Sequence, residues 1–428
     1  MKTVRKLAVL LIFFLPFAGK AQLRDSTYMP NVRGIKLFVT GDQMTYPIMS
    51  LGALNTLELH FDDADNYVKN FSYTYQLCNA DWKPVTLGAL DFIQGFTQNR
   101  ISEYRQSSIA KVPYVHYVAR LPERSCVPTK SGNYILKVFL NGDTTKLAFT
   151  RRLLIFETLT AVSSQIVQPY NSDLFQTHQK IQFFVDKSRL NLINPLDQLK
   201  VVVMQNYRWD NASYMSQPTF MRNNLFEYSN ETNCVFPAGK EFRWVDLRSF
   251  RFQSERINSV DKNATPFSVV LKPDGDRAQS RFLTYRDLNG FWEISTSDLI
   301  NPWWQGDYAN VRFIYRPTSG QPYDGKDVYI IGQFTSYKLN DSTKMTFNAA
   351  DGVYEKTMLL KQGYYTYTYA TANTADKNKV ADVSLTDGNY WETENDYTVL
   401  VYFRDLSGRH DRLICVSTIN SKATRVGF

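Results

Sequence analysis

Histidine and cysteine are scarce, with four of each in 428 residues. A catalytic centre needs a base, a nucleophile or a metal gathered within reach of one another. His60, His116, His178 and His410 are scattered along the chain, and His60 and His116 fall inside alternating strand patterns, where a structural ring is the expectation. No His-Glu-x-x-His run, Gly-x-Ser-x-Gly elbow or phosphate-cradling glycine loop occurs. Cys78, Cys126, Cys234 and Cys415 lack the close spacing of a zinc site. Cys78 and Cys126 alone share one expected domain. They are the pair in which a bridge is worth testing, against free buried thiols as the default. Asp62-Asp63-Ala64-Asp65-Asn66 has the acidity of a calcium loop but not its sixth-position glycine or terminal glutamate. The expectation is a protein with no catalytic residue, no cofactor and no metal, and not an enzyme.

Long hydrophobic runs are also missing. The longest, Leu7 to Phe17, falls short of the ~20 residues a spanning helix needs. Lys2, Arg5 and Lys6 precede it, and Gly19-Lys20-Ala21 follows, which is the layout of a secretory signal peptide over residues 1–21. No cysteine follows for a lipid anchor, so the expected product is exported and soluble, without membrane insertion. Strong charge is missing too. The formal net charge of +8 loses four cations and no acids with residues 1–21, and 8 − 4 = +4 gives no reason to invoke nucleic acid.

What the chain has in quantity is aromatic side chains, 14% of residues, with 27 Tyr and 28 Phe, and these suit pleated surfaces. Short alternating runs recur with turn signals between them, which predicts an all-β protein of tandem immunoglobulin-like or early-set β-sandwich domains. Residues 22–157 form the first, with strands at 35–39, 57–61, 71–77, 114–121, 131–139 and 145–156. Residues 90–104 are a weak helical candidate within it. Residues 158–316 form a middle sandwich, and 317–326, with two Pro, two Gly and a Ser, reads as a linker. Residues 327–428 form a C-terminal early-set-like sandwich. Its strand order is similar to glycogen-binding modules, with Tyr337 near the place of their sugar-stacking Trp. Trp303-Trp304, read as a strand pair pointing to opposite faces, is the other aromatic candidate for sugar contact. Asp25-Ser26-Thr27, Asp143-Thr144-Thr145 and Asp341-Ser342-Thr343 resemble the short O-glycosylation sites of exported Bacteroidetes proteins, which would place glycans on Ser26, Thr144 and Ser342.

One stretch organises the rest. A strand ending in Cys78 breaks into the turn Asn79-Ala80-Asp81-Trp82, with Trp82 as the expected anchor of the first sandwich. Asp91-Phe92-Ile93-Gln94-Gly95-Phe96, Tyr114-Val115-His116-Tyr117 and Ser131-Gly132-Asn133-Tyr134 follow in order. Together with Asp307-Tyr308-Ala309-Asn310-Val311-Arg312-Phe313 and Arg409-His410-Asp411-Arg412-Leu413, this set resembles the Bacteroidetes type IX secretion plug proteins. Carried residue by residue, the resemblance makes Cys78, Asn79, Asp81, Trp82, Gly95, Tyr114, His116, Tyr117, Gly132 and Tyr134 a structural signature. It implies a non-catalytic periplasmic protein that occludes the large outer-membrane β-barrel translocon from its inner side. The long connections 87–106 and 206–240 are the expected partner-facing segments. The alternative reading is an exported carbohydrate-binding or glycan-processing protein.

Overall fold

In the computed structural model, which describes residues 24–422, the alternating runs become thirty strands, with only four single-turn helices beside them. The expected signal peptide at 1–21 lies outside the described residues. The strands assemble into three sandwiches, each around its own apolar core.

The first sandwich runs uninterrupted. Val32–Val39, Leu57–Asp63, Val115–Leu121 and Glu103–Gln106 form one sheet. Ile48–Ser50, Leu147–Phe156, Gly132–Leu140, Phe71–Cys78 and Asn99–Arg100 form the other. Phe61, Phe71, Tyr117 and Phe149 pack between them. The 90–104 segment is not helical. It makes one short 3-10 turn, then the strands Ile93–Gly95 and Asn99–Arg100. Gly95 pairs with Cys126 at φ +91°, where a Cβ would lie 2.3 Å from the Ser125 carbonyl oxygen, so no side chain fits.

The remaining boundaries differ from those expected. Asp396–Phe403 does not belong to a separate C-terminal domain. It pairs along its length with Leu199–Gln205, from Leu199 opposite Phe403 to Gln205 opposite Tyr397, and then with Arg412–Asn420. The second sandwich is thus built from residues near 162–237 and closed by 396–420, with Phe183, Val201, Phe236, Val399 and Ile414 in its core. The third sandwich, from Arg243–Asp246 to Tyr364–Asn373, is inserted between these two parts. Tyr308–Arg316, expected to end the middle domain, pairs with Val353–Lys361. Residues 317–326 therefore form a turn inside one sandwich, not a linker; the Tyr323 hydroxyl bonds the Tyr315 hydroxyl at 2.7 Å. The physical reason is that antiparallel pairing needs matched apolar faces and not closeness in sequence. Nothing in the local pattern of 396–403 names its distant partner.

The chain enters and leaves the third sandwich at neighbouring points. The Tyr390 N–H donates to the Gly239 carbonyl at 2.8 Å, and the Thr393 hydroxyl reaches the same oxygen at 2.8 Å.

Candidate functional site: the junctions between sandwiches

The signature residues do not gather at one place. Tyr117 and Tyr134 lie in the core of the first sandwich, and their hydroxyls donate to the Lys69 and Lys130 carbonyls. Asp81 is exposed and pairs with Lys83 at 2.8 Å. Gly95 lies within the first sandwich, opposite Cys126, and the remaining six hold that sandwich to its two neighbours.

Cys78, Asn79, Trp82 and Gly132 face the second sandwich. The Asn79 N–H donates to the Lys83 carbonyl at 2.8 Å, and Trp82 takes a left-handed backbone, φ +66°. That conformation costs a bulky residue of order 1–3 kcal/mol and persists only where surroundings enforce it. Here they do. Trp82 is buried with Cys78, Ala80, Ile135 and Leu154 against Val202, Met204, Leu400, Tyr402 and Leu413. Its ring meets Trp209 edge-on at 4.8 Å, with the Arg152 guanidinium 5.2 Å from each ring. The expectation that Trp82 anchors the interior of the first sandwich is corrected: it anchors that sandwich to the second. Around this apolar patch runs a polar ring. Asp411 accepts from the Ala80 N–H at 3.0 Å, Arg404 at 2.7 Å and Lys200 at 3.1 Å. Tyr402 donates to Asn133 Oδ1 at 2.7 Å, and Asn133 Nδ2 donates to the Asn79 carbonyl at 3.1 Å. Gly132, at φ +144°, leaves room for the Asp411 carbonyl, which a Cβ would approach to 3.1 Å.

Tyr114 and His116 face the third sandwich, and here Asp62 is central. It accepts from His116 Nδ1 at 2.6 Å, the Tyr308 hydroxyl at 2.6 Å and Lys361 Nζ at 2.5 Å. Side-chain exposures of 3%, 2% and 1% for Asp62, His116 and Lys361 put the group out of reach of bulk water. Burial pushes the Asp62 carboxyl upward, but Lys361 and His116 outweigh it and hold the group below the ordinary carboxylate range. Because Asp62 accepts from His116 Nδ1–H, the other ring nitrogen of neutral His116 accepts from His60 Nδ1 at 3.0 Å. Burial pushes His116 down to about 4, so this neutral arrangement is the stable one. The Trp303 indole stacks on His60 at 3.9 Å, and the Trp303 carbonyl accepts from Lys361 at 2.6 Å and Tyr114 at 3.1 Å.

These positions also decide the other candidates. Trp303 and Trp304 sit in the single-turn helix Pro302–Gln305, not in a strand; Trp303 packs on His60, and Arg105 lies 4.3 Å over Trp304. Tyr337 is buried beneath Arg208, whose guanidinium is 4.9 Å from the ring. Neither place offers the open aromatic platform that sugar stacking requires. The acidic run 62–65 is engaged by cations of the chain itself: Asp62 by Lys361, and Asp63 and Asp65 by Lys69. All four cysteines are free and buried. Ser26 is buried and accepts from Lys338 at 3.0 Å, so it is not open to a glycan as expected, while Thr144 and Ser342 are exposed. Sequence reasoning weighed Asp62 only as a calcium ligand and missed Lys361 altogether. Lys361 simply ends an apolar strand, and no local signal marks it. Tyr308 and Asp411 stood inside motifs that carried the family resemblance, but without a role.

Residues 32–157, the span of the first sandwich, match the family described as type 9 secretion system plug protein 1st domain. That span of the chain is thus similar to the first domain of the type IX secretion plug proteins. The similarity extends over the whole architecture of one solved structure. A hypothetical protein from Parabacteroides merdae aligns with a TM-score of 0.88 at 27% identity, covering 94% of this chain and 100% of its own. No curated protein matches the chain. The plug-family domain is therefore one part of a three-sandwich body, and among the described residues no helix is long and apolar enough to cross a membrane.

Proposed function

We propose that this chain is a non-catalytic periplasmic plug, which closes the large outer-membrane β-barrel translocon of type IX secretion from the inner side. The observation that carries the reading is the coincidence of the family match with a domain locked to both its neighbours through buried polar groups. Occlusion by a folded body requires that the body not flex apart under load, and the Asp62 and Asp411 groups supply that stiffness. The Asp62 group also contains the histidines and carboxylates that could suggest catalysis. Its members are spent on one another in a dry junction, which supports a structural role.

The contacts with the translocon are assigned to the 87–106 connection and to the 213–228 edge of the second sandwich. The first exposes Leu90 at 79% and Phe96 at 70%, and the second exposes Phe220 and Met221 at the strand Phe220–Arg222. Isolated exposed apolar residues are ordinary, but on rigid sandwich edges they are where protein contacts form. The test is capture of the tagged chain from membranes of its own cell. A large outer-membrane barrel should co-purify, and Leu90→Ser with Phe96→Ser should weaken its recovery while leaving the fold intact. Loss of the chain should make the outer membrane leakier to large solutes. Capture without any outer-membrane protein, with unchanged permeability on deletion, would remove the proposal.

A further inference from the structure

The three sandwiches leave a cavity of about 510 Å³ where they meet. Lys36 and Arg151 of the first, Trp209 of the second, and Tyr337 and Lys338 of the third all line it. Seven lysine and arginine side chains stand around this space against two carboxylates, Asp25 and Asp210. Both carboxylates are already taken. Asp25 pairs with Arg152 at 3.1 Å and Asp210 with Arg208 at 2.6 Å.

Apart from the exposed Lys377, four of these cations have no carboxylate partner among the described residues, and neutral oxygens hold each of the four in place. Lys36, 5% exposed, donates to the Gln43 carbonyl at 2.8 Å and lies 5.1 Å from the Trp292 ring. Arg151 donates to the Thr150 carbonyl at 2.7 Å. Lys338 donates to the Asp25 carbonyl at 2.8 Å and to Ser26. Arg24 donates to the Asp81 carbonyl at 2.9 Å. Gathering like charges at a junction without countercharge is unfavourable, and folded chains ordinarily pair or avoid such groups. Burial pushes Lys36 down to about 7 and Arg151 down to about 10. For Lys338, burial and then the neighbouring arginines act in the same direction. Gln333, also on the cavity wall, has a buried side-chain oxygen with no hydrogen-bond partner, ready to accept from a hydroxyl. A smaller cavity of about 160 Å³ shares Arg151 and Trp292 with the first and reaches Tyr308 and Lys361 of the Asp62 group.

We propose that this central cavity binds a compact, multiply charged oxyanion of the phosphate or polycarboxylate class, which supplies the missing countercharge and ties the three sandwiches together. The site is independent of the plug reading. It makes the rigidity of the body ligand-dependent: with the anion present, Lys36 and Arg151 are drawn toward Lys338 across the junction, and without it they repel.

The test uses the whole mature chain in a chloride buffer free of phosphate, with inorganic pyrophosphate and citrate as probes. Thermal unfolding should shift upward by several degrees at a hundredfold excess over Kd, with heat of binding in calorimetry. Chloride at matched ionic strength should give no comparable shift. The double variant Lys36→Met with Lys338→Met should unfold at or above the wild-type temperature in the absence of anion, because two like charges without a carboxylate partner, one buried and one half-buried, are gone. It should bind pyrophosphate at least tenfold more weakly and lose the shift. Should that variant not fold, wild-type Lys338 is modified with an acylating reagent, and pyrophosphate should slow its modification severalfold. Sedimentation with phosphatidic acid vesicles that pyrophosphate competes away would identify the anion as a lipid headgroup. Binding in solution without sedimentation would identify a free anion. No heat or shift with either probe, an equal shift from matched chloride, or a double variant that responds like wild type overturns the proposal.

Discussion

Removing one side chain from the Asp62 group leaves its partners charged or polar in a dry junction. Lys361→Met strips the carboxylate of its shortest contact, and the cost of a buried pair broken from one side is about 3–5 kcal/mol. Thermal unfolding should therefore fall steeply for Lys361→Met, while Lys83→Met, which breaks the exposed pair with Asp81, should leave it almost unchanged. The same junction sets a pH response. Burial holds His116 at about 4 in the folded chain against an ordinary 6.5. A depressed histidine contributes stability that is fully present above the unfolded value and lost as pH falls toward the folded one. His116 thus contributes up to about 3 kcal/mol above pH 6.5, lost progressively between there and pH 4. His60 is shifted in the same direction, again by burial first. Urea unfolding at pH 7.5 and pH 4.5 checks this: His116→Asn should flatten the difference, and an unchanged difference would assign the acid sensitivity elsewhere.

At the scale of elements, alternation and turn chemistry were enough to locate most of the longer strands, because those signals are local; Ile48–Ser50, which pairs with 154–156, and the short strands within 93–106 were not among them. Leu199–Gln205 and Asp396–Phe403 are each recognisable as strands from their β-branched and aromatic runs alone. Their pairing was not, since Val201 opposite Val401 spans an inserted domain. The junction residues were legible as an ordered motif, but their roles were not. Trp82 could serve an interior or an interface equally well until Trp209 and Leu413 were placed beside it, and Lys361 stood in no motif at all. The insertion yields its own prediction. Because Gly239 and Tyr390 are hydrogen-bonded neighbours, joining Ala238 to Tyr390 through two or three glycines should leave the first and second sandwiches folded. Circular dichroism and a single thermal transition would check this. An unfolded product would mean that the third sandwich is needed to form the second.

For the whole molecule, three cores of similar make are coupled through two polar junctions and a chain that crosses twice between the second and third sandwiches. Coupling of that kind should make the native protein unfold in a single calorimetric transition, although each sandwich has its own core. Weakening one junction by Lys361→Met should split the trace, separating the third sandwich from the rest. A split trace in the wild type would mean that the junctions carry little of the cooperativity.

The adjacency of Gly239 and Tyr390 also decides how the molecule bears tension. A force applied between residue 24 and residue 422 runs through the first sandwich and then through the strands Leu199–Gln205, Asp396–Phe403 and Arg412–Asn420. It passes by the third sandwich, whose two connections are clasped together and feel no stretch until the second sandwich gives way. In single-molecule pulling, the contour length of the third sandwich should appear only after that of the second. A body arranged this way has a slack loop held in reserve: when the load-bearing strands part, a folded unit is still attached, and the tether lengthens in a second step instead of failing at once.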